Sequence, residues 1–170
     1  MPDHFLDTRR SARKTPRHIH GMIILDSGPL IALVVHKLGL GCSSAAPPEL
    51  VDAVKKVEER LGLRLASLWP VVTEALHILD SRCRISKRSD APEKIKTICK
   101  ALSELAEIHI SFHEALKNLK VDLDIADPAV LLAAERSKPS IILTIDQRLL
   151  KEAERRKLQA FTPYMIASLL

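Results

Sequence analysis

The feature that most constrains this chain is a short apolar run that ends in a carboxylate and reopens as a second apolar segment, Ile23-Ile24-Leu25-Asp26-Ser27-Gly28-Pro29-Leu30-Ile31-Ala32-Leu33. Met22 to Leu25 is too short for a helix of its own and contains β-branched residues, so it reads as a buried strand. Ser27-Gly28-Pro29 is a breaker cluster, and proline is well tolerated in the first turn of a helix. The unit is strand, acidic turn, helix. In open α/β sheets ligands bind outside the carboxyl ends of the strands, so Asp26 stands where chemistry is usually done. A plain helix cap explains a lone Asp there equally well. The deciding question is whether other acids arrive in equivalent places.

They do. Ser140 to Thr144 reads as another strand, Ile-Ile-Leu-Thr, with Asp146 at its carboxyl end. Asp127-Pro128 is a good N-cap and first-turn pair for a helix running to about Ser137. Glu74 sits in a helix, Val71 to Leu79, among Val71, Val72, Ala75, Leu76 and Ile78, and a carboxylate in such company needs a partner. The intervening segments alternate. A helix from about Glu49 to Leu61 precedes a strand at Leu63 to Ser67. A helix from about Pro92 to Ala106 precedes a strand at Ile108 to Ile110, and Ser111 caps a short helix from Phe112 to Leu119. After Asp146 come a helix from Arg148 to Arg156, a strand near Ala160-Phe161 and a final helix from Pro163. This alternation implies an α/β fold, a three-layer α/β/α sandwich around a central, mainly parallel sheet.

At 170 residues the chain suits one domain with a sizeable core. The core is aliphatic, since hydrophobic content is 46% and aromatic content only 3%. Residues 1 to 21 stand apart. They lack apolar periodicity and carry Arg9, Arg10, Arg13, Lys14 and Arg17 against Asp3 and Asp7, so they read as a disordered basic tail, and Met22 marks an alternative start. A transit peptide is the competing reading, and the two acids count against it. The net charge of +5 is thus concentrated in the tail, and the body is only mildly basic. No uninterrupted apolar run approaches ~18 residues, so no membrane association is expected. Cys42, Cys83 and Cys99 are odd in number and never spaced C-x-x-C, which argues against a disulfide framework and a zinc ribbon and implies a reducing, intracellular compartment. His109 and His113 lack a second ligand pair at metal spacing. The basic stretch Arg82, Arg84, Lys87 and Arg88 suits RNA phosphates or plain solvent.

Asp26 and Asp146, at strand ends on one edge of a parallel sheet, converge with Glu74 and Asp127 on neighbouring helices. Such a carboxylate cluster calls for divalent cations, and hard oxygen ligands suit Mg²⁺ or Mn²⁺. Thr144 and Ser27 stand ready to meet a bound water or a phosphate oxygen. Ile-Leu-Asp26-Ser-Gly-Pro-Leu-Ile-Ala-Leu, Val-Val-Thr-Glu74-Ala-Leu-His-Ile-Leu, Ile-Ala-Asp127-Pro-Ala-Val-Leu-Leu-Ala-Ala and Leu-Thr144-Ile-Asp146-Gln-Arg-Leu resemble, in order, the acidic motifs of PIN-domain ribonucleases, especially VapC-like toxins. The resemblance covers residues 22 to 170. It implies Mg²⁺- or Mn²⁺-dependent endonucleolytic cleavage of RNA, Asp26, Glu74, Asp127 and Asp146 as metal ligands, a homodimer, a cytoplasmic setting and, for the toxin branch, a small antitoxin. Three departures stand out. Pro128 replaces the usual small residue after the third acid, with Asp122 and Asp124 close by. Gln147 stands where a basic residue is frequent, and the Gly39 to Leu63 stretch is long for a compact toxin. The last of these points to RNA maturation as an alternative assignment, and a non-catalytic RNA-binding module is the competing class. An aspartyl phosphatase is disfavoured because Asp26 has no second acid two residues on.

Overall fold

The computed structural model describes residues 21–120 and 123–170. Apart from Gly21, the basic tail lies outside the described residues, and so does Asp122. Five strands, β1 (Met22–Leu25), β2 (Arg64–Ser67), β3 (Ala106–Glu107), β4 (Ser140–Leu143) and β5 (Gln159–Phe161), form one sheet in the order β3-β2-β1-β4-β5. Every pairing is parallel. Helices α1 (Ser27–Leu38), α2 (Pro48–Leu61), α3 (Trp69–Cys83), α4 (Ala91–Ser103), α5 (Phe112–Lys117), α6 (Asp127–Arg136), α7 (Gln147–Arg155) and α8 (Pro163–Leu169) flank it as the outer layers of an α/β/α sandwich. No helix among the described residues is long and apolar enough to cross a membrane.

The central position of β1 follows from its composition. Ile23, Ile24 and Leu25 are at most 1% exposed, as a strand covered on both faces requires. Its neighbour β4 matches it residue for residue, Ile23 opposite Ile141 and Leu25 opposite Leu143. Chain order runs outward from β1 to β2 and β3 on one side, and β4 and β5 occupy the other. The reversal point therefore lies between β1 and β4, where α/β sheets open a crevice at the strand carboxyl ends. Two helices close the core. In α1 every residue from Pro29 to Val35 is buried, and in α6 every residue from Asp127 to Ala134. A helix apolar all round belongs inside. The amphipathic α2 instead buries only Leu50, Ala53, Val54 and Val57, and it ends at Gly62, whose φ of 60° suits a residue without a Cβ.

Local expectations shift in four places. The third strand lies at Ala106–Glu107 rather than Ile108–Ile110, because α4 ends by Ser103 and the chain reaches the edge of β2 sooner; Ile108 N still donates to Ser67 O. Helix α3 runs past Leu79 to Cys83, as no breaker interrupts it, and stops where Arg84 turns left-handed and Asp80 accepts bonds from Ser86 N and Oγ. Asp127 is not an N-cap but the first helical residue of α6, and the cap position falls to Ala126. Finally, Cys42 and Cys83 form a disulfide, leaving Cys99 free. An odd count allows one bridge, and 41 residues of separation disguised a pair that the packing of α1 against α3 brings together. The disulfide removes the cysteine-based case for a reducing compartment. The Ser111 cap is formed as expected, with Glu114 completing a capping box.

Because β1 is fully enclosed, Ile24→Ala should destabilise the protein by about 2–5 kcal/mol in urea unfolding, through lost burial plus a residual cavity. An unchanged midpoint would place β1 away from the centre of the core.

Candidate active site

Asp26 follows β1 directly and is 6% exposed. It occupies the cap position of α1, yet its side chain makes no capping bond to that helix. Instead its Oδ2 accepts from Thr144 Oγ1 at 2.6 Å, a bond between the ends of β1 and β4. Thr144 Oγ1 in turn accepts from Asp146 N at 3.0 Å. Thr144 is fully buried, so its hydroxyl is engaged within the protein rather than with water or phosphate, and the residue acts by orienting Asp26. The plain-cap reading of Asp26 loses its basis. For Asp146 capping is real, since its Oδ1 accepts from Arg148 N at 2.7 Å while its Oδ2 faces the Arg148 guanidinium at 3.3 Å.

The third acid comes as a pair. Asp127, at the start of α6, is 3% exposed, and its Oδ2 accepts from Asp124 N at 2.9 Å, which folds the loop back over the helix start. That turn carries the Asp124 carboxylate into the cluster, where it meets Arg148 Nη2 at 3.3 Å. Asp124, Asp127 and Asp146 each offer a carboxylate oxygen lying within 4.8 Å of the others. Glu74 faces them from α3. It is exposed rather than enclosed by its apolar neighbours, because Val71, Val72 and Ala75 turn inward and leave Glu74 on the opposite side. All five acids line one open groove of about 300 Å³, together with Ser27, Gly28 and Arg82. At Gly28 a Cβ would come within 2.9 Å of the Ile145 side chain, so the missing Cβ lets Ile145 pack closely against this turn.

The electrostatics record the crowding. Burial, with Asp26, Asp146 and Asp124 adding repulsion, pushes Asp127 up to about 7 despite the bond from Asp124 N. Burial likewise raises Asp26; the Thr144 bond opposes this, and Asp146 and Asp124 reinforce it. Glu74 is raised by desolvation, then by Asp26 and Asp124. Desolvation also acts on Asp146, but the bonds from Arg148 outweigh it and hold this carboxyl below its ordinary value. Groups that resist ionising beside one another are stabilised by a shared cation. The donors are all hard carboxylate oxygens, and Asp124, Asp127 and Asp146 are the three that converge closely enough to hold a hard divalent cation, while Asp26 and Glu74 line the same groove outside that tight trio.

Sequence reasoning placed Asp26, Glu74, Asp127 and Asp146 here; it read Asp124 as a rival to Asp127 rather than a member of the cluster and Arg82 as part of a basic stretch apart from the site, and it missed Arg148. Asp124 is drawn in only by the turn before α6. Arg148, one residue beyond Gln147, supplies the basic group at this motif. Arg82 stands eight residues after Glu74, a helical spacing that puts both on one face of α3.

No family model and no curated protein matches the chain. Among solved structures it is similar to the crystal structure of PAE2754 from Pyrobaculum aerophilum, with 21% identity and a TM-score of 0.58 over 88% of this chain and 96% of that one. The likeness supports the α/β/α fold.

A proton that native Asp127 keeps up to about pH 7 is released by the unfolded chain near 3.8, so stability falls as pH rises across that interval. In chelator the melting temperature should decline over this window, and Mn²⁺ should raise it more at the upper end than at the lower. Asp127→Asn should flatten both trends; a pH-independent parent indifferent to Mn²⁺ would contradict the cluster's coupling.

Proposed function

We propose that this chain is a Mg²⁺- or Mn²⁺-dependent endoribonuclease of PIN-domain type, hydrolysing RNA phosphodiester bonds. The observation that carries the reading is the convergence of Asp26, Asp124, Asp127 and Asp146 at the carboxyl ends of β1 and β4, in a groove open to an extended substrate. A bound divalent ion would lower the pKa of the attacking water and offset charge on the phosphoryl group and leaving oxygen. The protein's own part is positional and electrostatic. Thr144 fixes the orientation of Asp26, the turn at Asp124 fixes Asp127, and the backbone of α7 fixes Asp146. Arg148 holds Asp124 and Asp146 together against their repulsion and carries a positive charge at the groove edge for the substrate. Glu74 lines the facing wall and in this reading takes the proton of the attacking water.

The order of the acidic motifs supports the toxin branch, with a small antitoxin as partner. An apolar groove of about 390 Å³ supports a homodimer: Trp69, Phe112 and Ile125 line it, and each is more than two-thirds exposed. A cytoplasmic setting would follow from the proposed RNA substrate and not from the cysteines. Retention of every acid favours turnover over a non-catalytic RNA-binding role.

Asp26→Asn keeps the shape and hydrogen-bonding capacity of the site but removes one charge. Loss of a metal ligand costs several kcal/mol of transition-state stabilisation, so Mn²⁺-dependent RNA cleavage should fall at least ~100-fold while circular dichroism stays unchanged. Asp124→Asn should also lose activity, because its carboxylate is part of the cluster. Full cleavage by Asp26→Asn would sink the nuclease reading.

A further inference from the structure

A second cleft of about 260 Å³ adjoins the acidic groove, between the loop after α1 and the end of α3. Arg82 lines both spaces. Its Nη1 donates to Ser44 O at 2.8 Å, and Ser44 Oγ donates back to Arg82 O at 3.4 Å. The Cys42–Cys83 disulfide joins the same two segments, one residue from Arg82 and two from Ser44. Among the described residues no carboxylate lies within ion-pairing distance of Arg82, and its guanidinium is held by the neutral Ser44 carbonyl at the edge of the acidic groove. Arg88 lines the far side of the cleft, its Nε on Asp90. A pinned, unpaired guanidinium on the ridge beside a metal-type carboxylate cluster is suited to a phosphate, which Arg recognises in fixed fork geometry.

We propose that this cleft is the subsite for an RNA backbone phosphate flanking the scissile one, with Arg82 as its ligand and the Cys42–Cys83 disulfide as the clamp that positions it. The assignment rests on the nuclease reading for the identity of the polyanion. It also makes substrate affinity depend on the redox state of the chain. Dithiothreitol would break the Cys42–Cys83 bond by thiol–disulfide exchange, giving up two electrons and two protons to form two cysteine thiols and closing to its own cyclic disulfide.

The test compares the parent with Arg82→Gln, Arg82→Lys and Cys42→Ser/Cys83→Ser in two assays. One is binding of a short fluorescent single-stranded RNA in Ca²⁺ over a salt series, and the other is cleavage of that RNA in Mn²⁺. Removing one phosphate contact should reduce the salt slope by about 0.7. Arg82→Gln should show this together with a several-fold higher KM and little change in kcat, the mark of lost uniform binding. Arg82→Lys should restore the slope but not the full affinity. The double serine variant should raise KM as Arg82→Gln does, and dithiothreitol should move the parent the same way. Cleavage by the parent with slope and KM unchanged in Arg82→Gln overturns the subsite and leaves the nuclease standing. Binding with the reduced slope in Arg82→Gln, but without Mn²⁺-dependent cleavage by the parent, retains the subsite and removes the nuclease. An effect of Arg82→Gln that neither the serine variant nor dithiothreitol reproduces overturns the clamp. Arg82→Gln keeps the disulfide, so the subsite is tested even where the serine variant fails to fold.

Discussion

Thr144 ties the ends of two adjacent parallel strands by donating to Asp26 and accepting from the backbone of Asp146. The rest of the site depends on this bond. Parallel pairing in matched register brings the carboxyl ends of β1 and β4 level, and the reversal of strand order between them leaves their edge uncovered by a crossover. Without the Thr144 hydroxyl, a buried Asp26 would lose a short partner in a place where burial already disfavours its charge. The aliphatic packing of β1, α1 and α6 thus does more than stabilise the domain. It presents acids at a fixed height above a rigid sheet, where small displacements matter most.

Charge sets the second constraint. Five carboxylates share one groove, and the protein answers their repulsion in two ways. Arg148 bridges Asp124 and Asp146, and Asp127 holds a proton up to about pH 7. Neither answer is complete, since Asp26 and Glu74 are also raised and have no cation of their own within bonding distance among the described residues. In the proposed function a divalent ion would offset the remainder. Under that proposal Arg148 would guard the cluster and Arg82 would face the RNA backbone.

How far the sequence foretold this depends on the range of each signal. Asp26 and Asp146 were legible because strand, acid and helix follow one another within a dozen residues, and the local pattern carries the placement. The parallel sheet followed from alternation alone. Asp124 was not legible as a member of the cluster, because an irregular turn closed by Asp127 Oδ2 decides where it points. Thr144 was placed correctly but given the wrong task, since the sequence cannot show that its hydroxyl already has a partner. Glu74 sat where expected but faces solvent, a difference of helical rotation that its apolar neighbours disguised. The Cys42–Cys83 bridge is a long-range contact, and its parity and spacing carried no trace of it.

The central claim is that these carboxylates form a divalent-cation site of the native fold. Titration of the parent protein with Mn²⁺, following free ion by electron paramagnetic resonance, tests it without recourse to RNA. The account predicts saturable binding that Mg²⁺ displaces, that weakens as pH falls below about 7 with protonation of Asp127, and that disappears when Asp26, Asp127 and Asp146 are all replaced by Asn. A free-ion signal that rises in proportion to added Mn²⁺, identical in the parent and the triple variant, would contradict it.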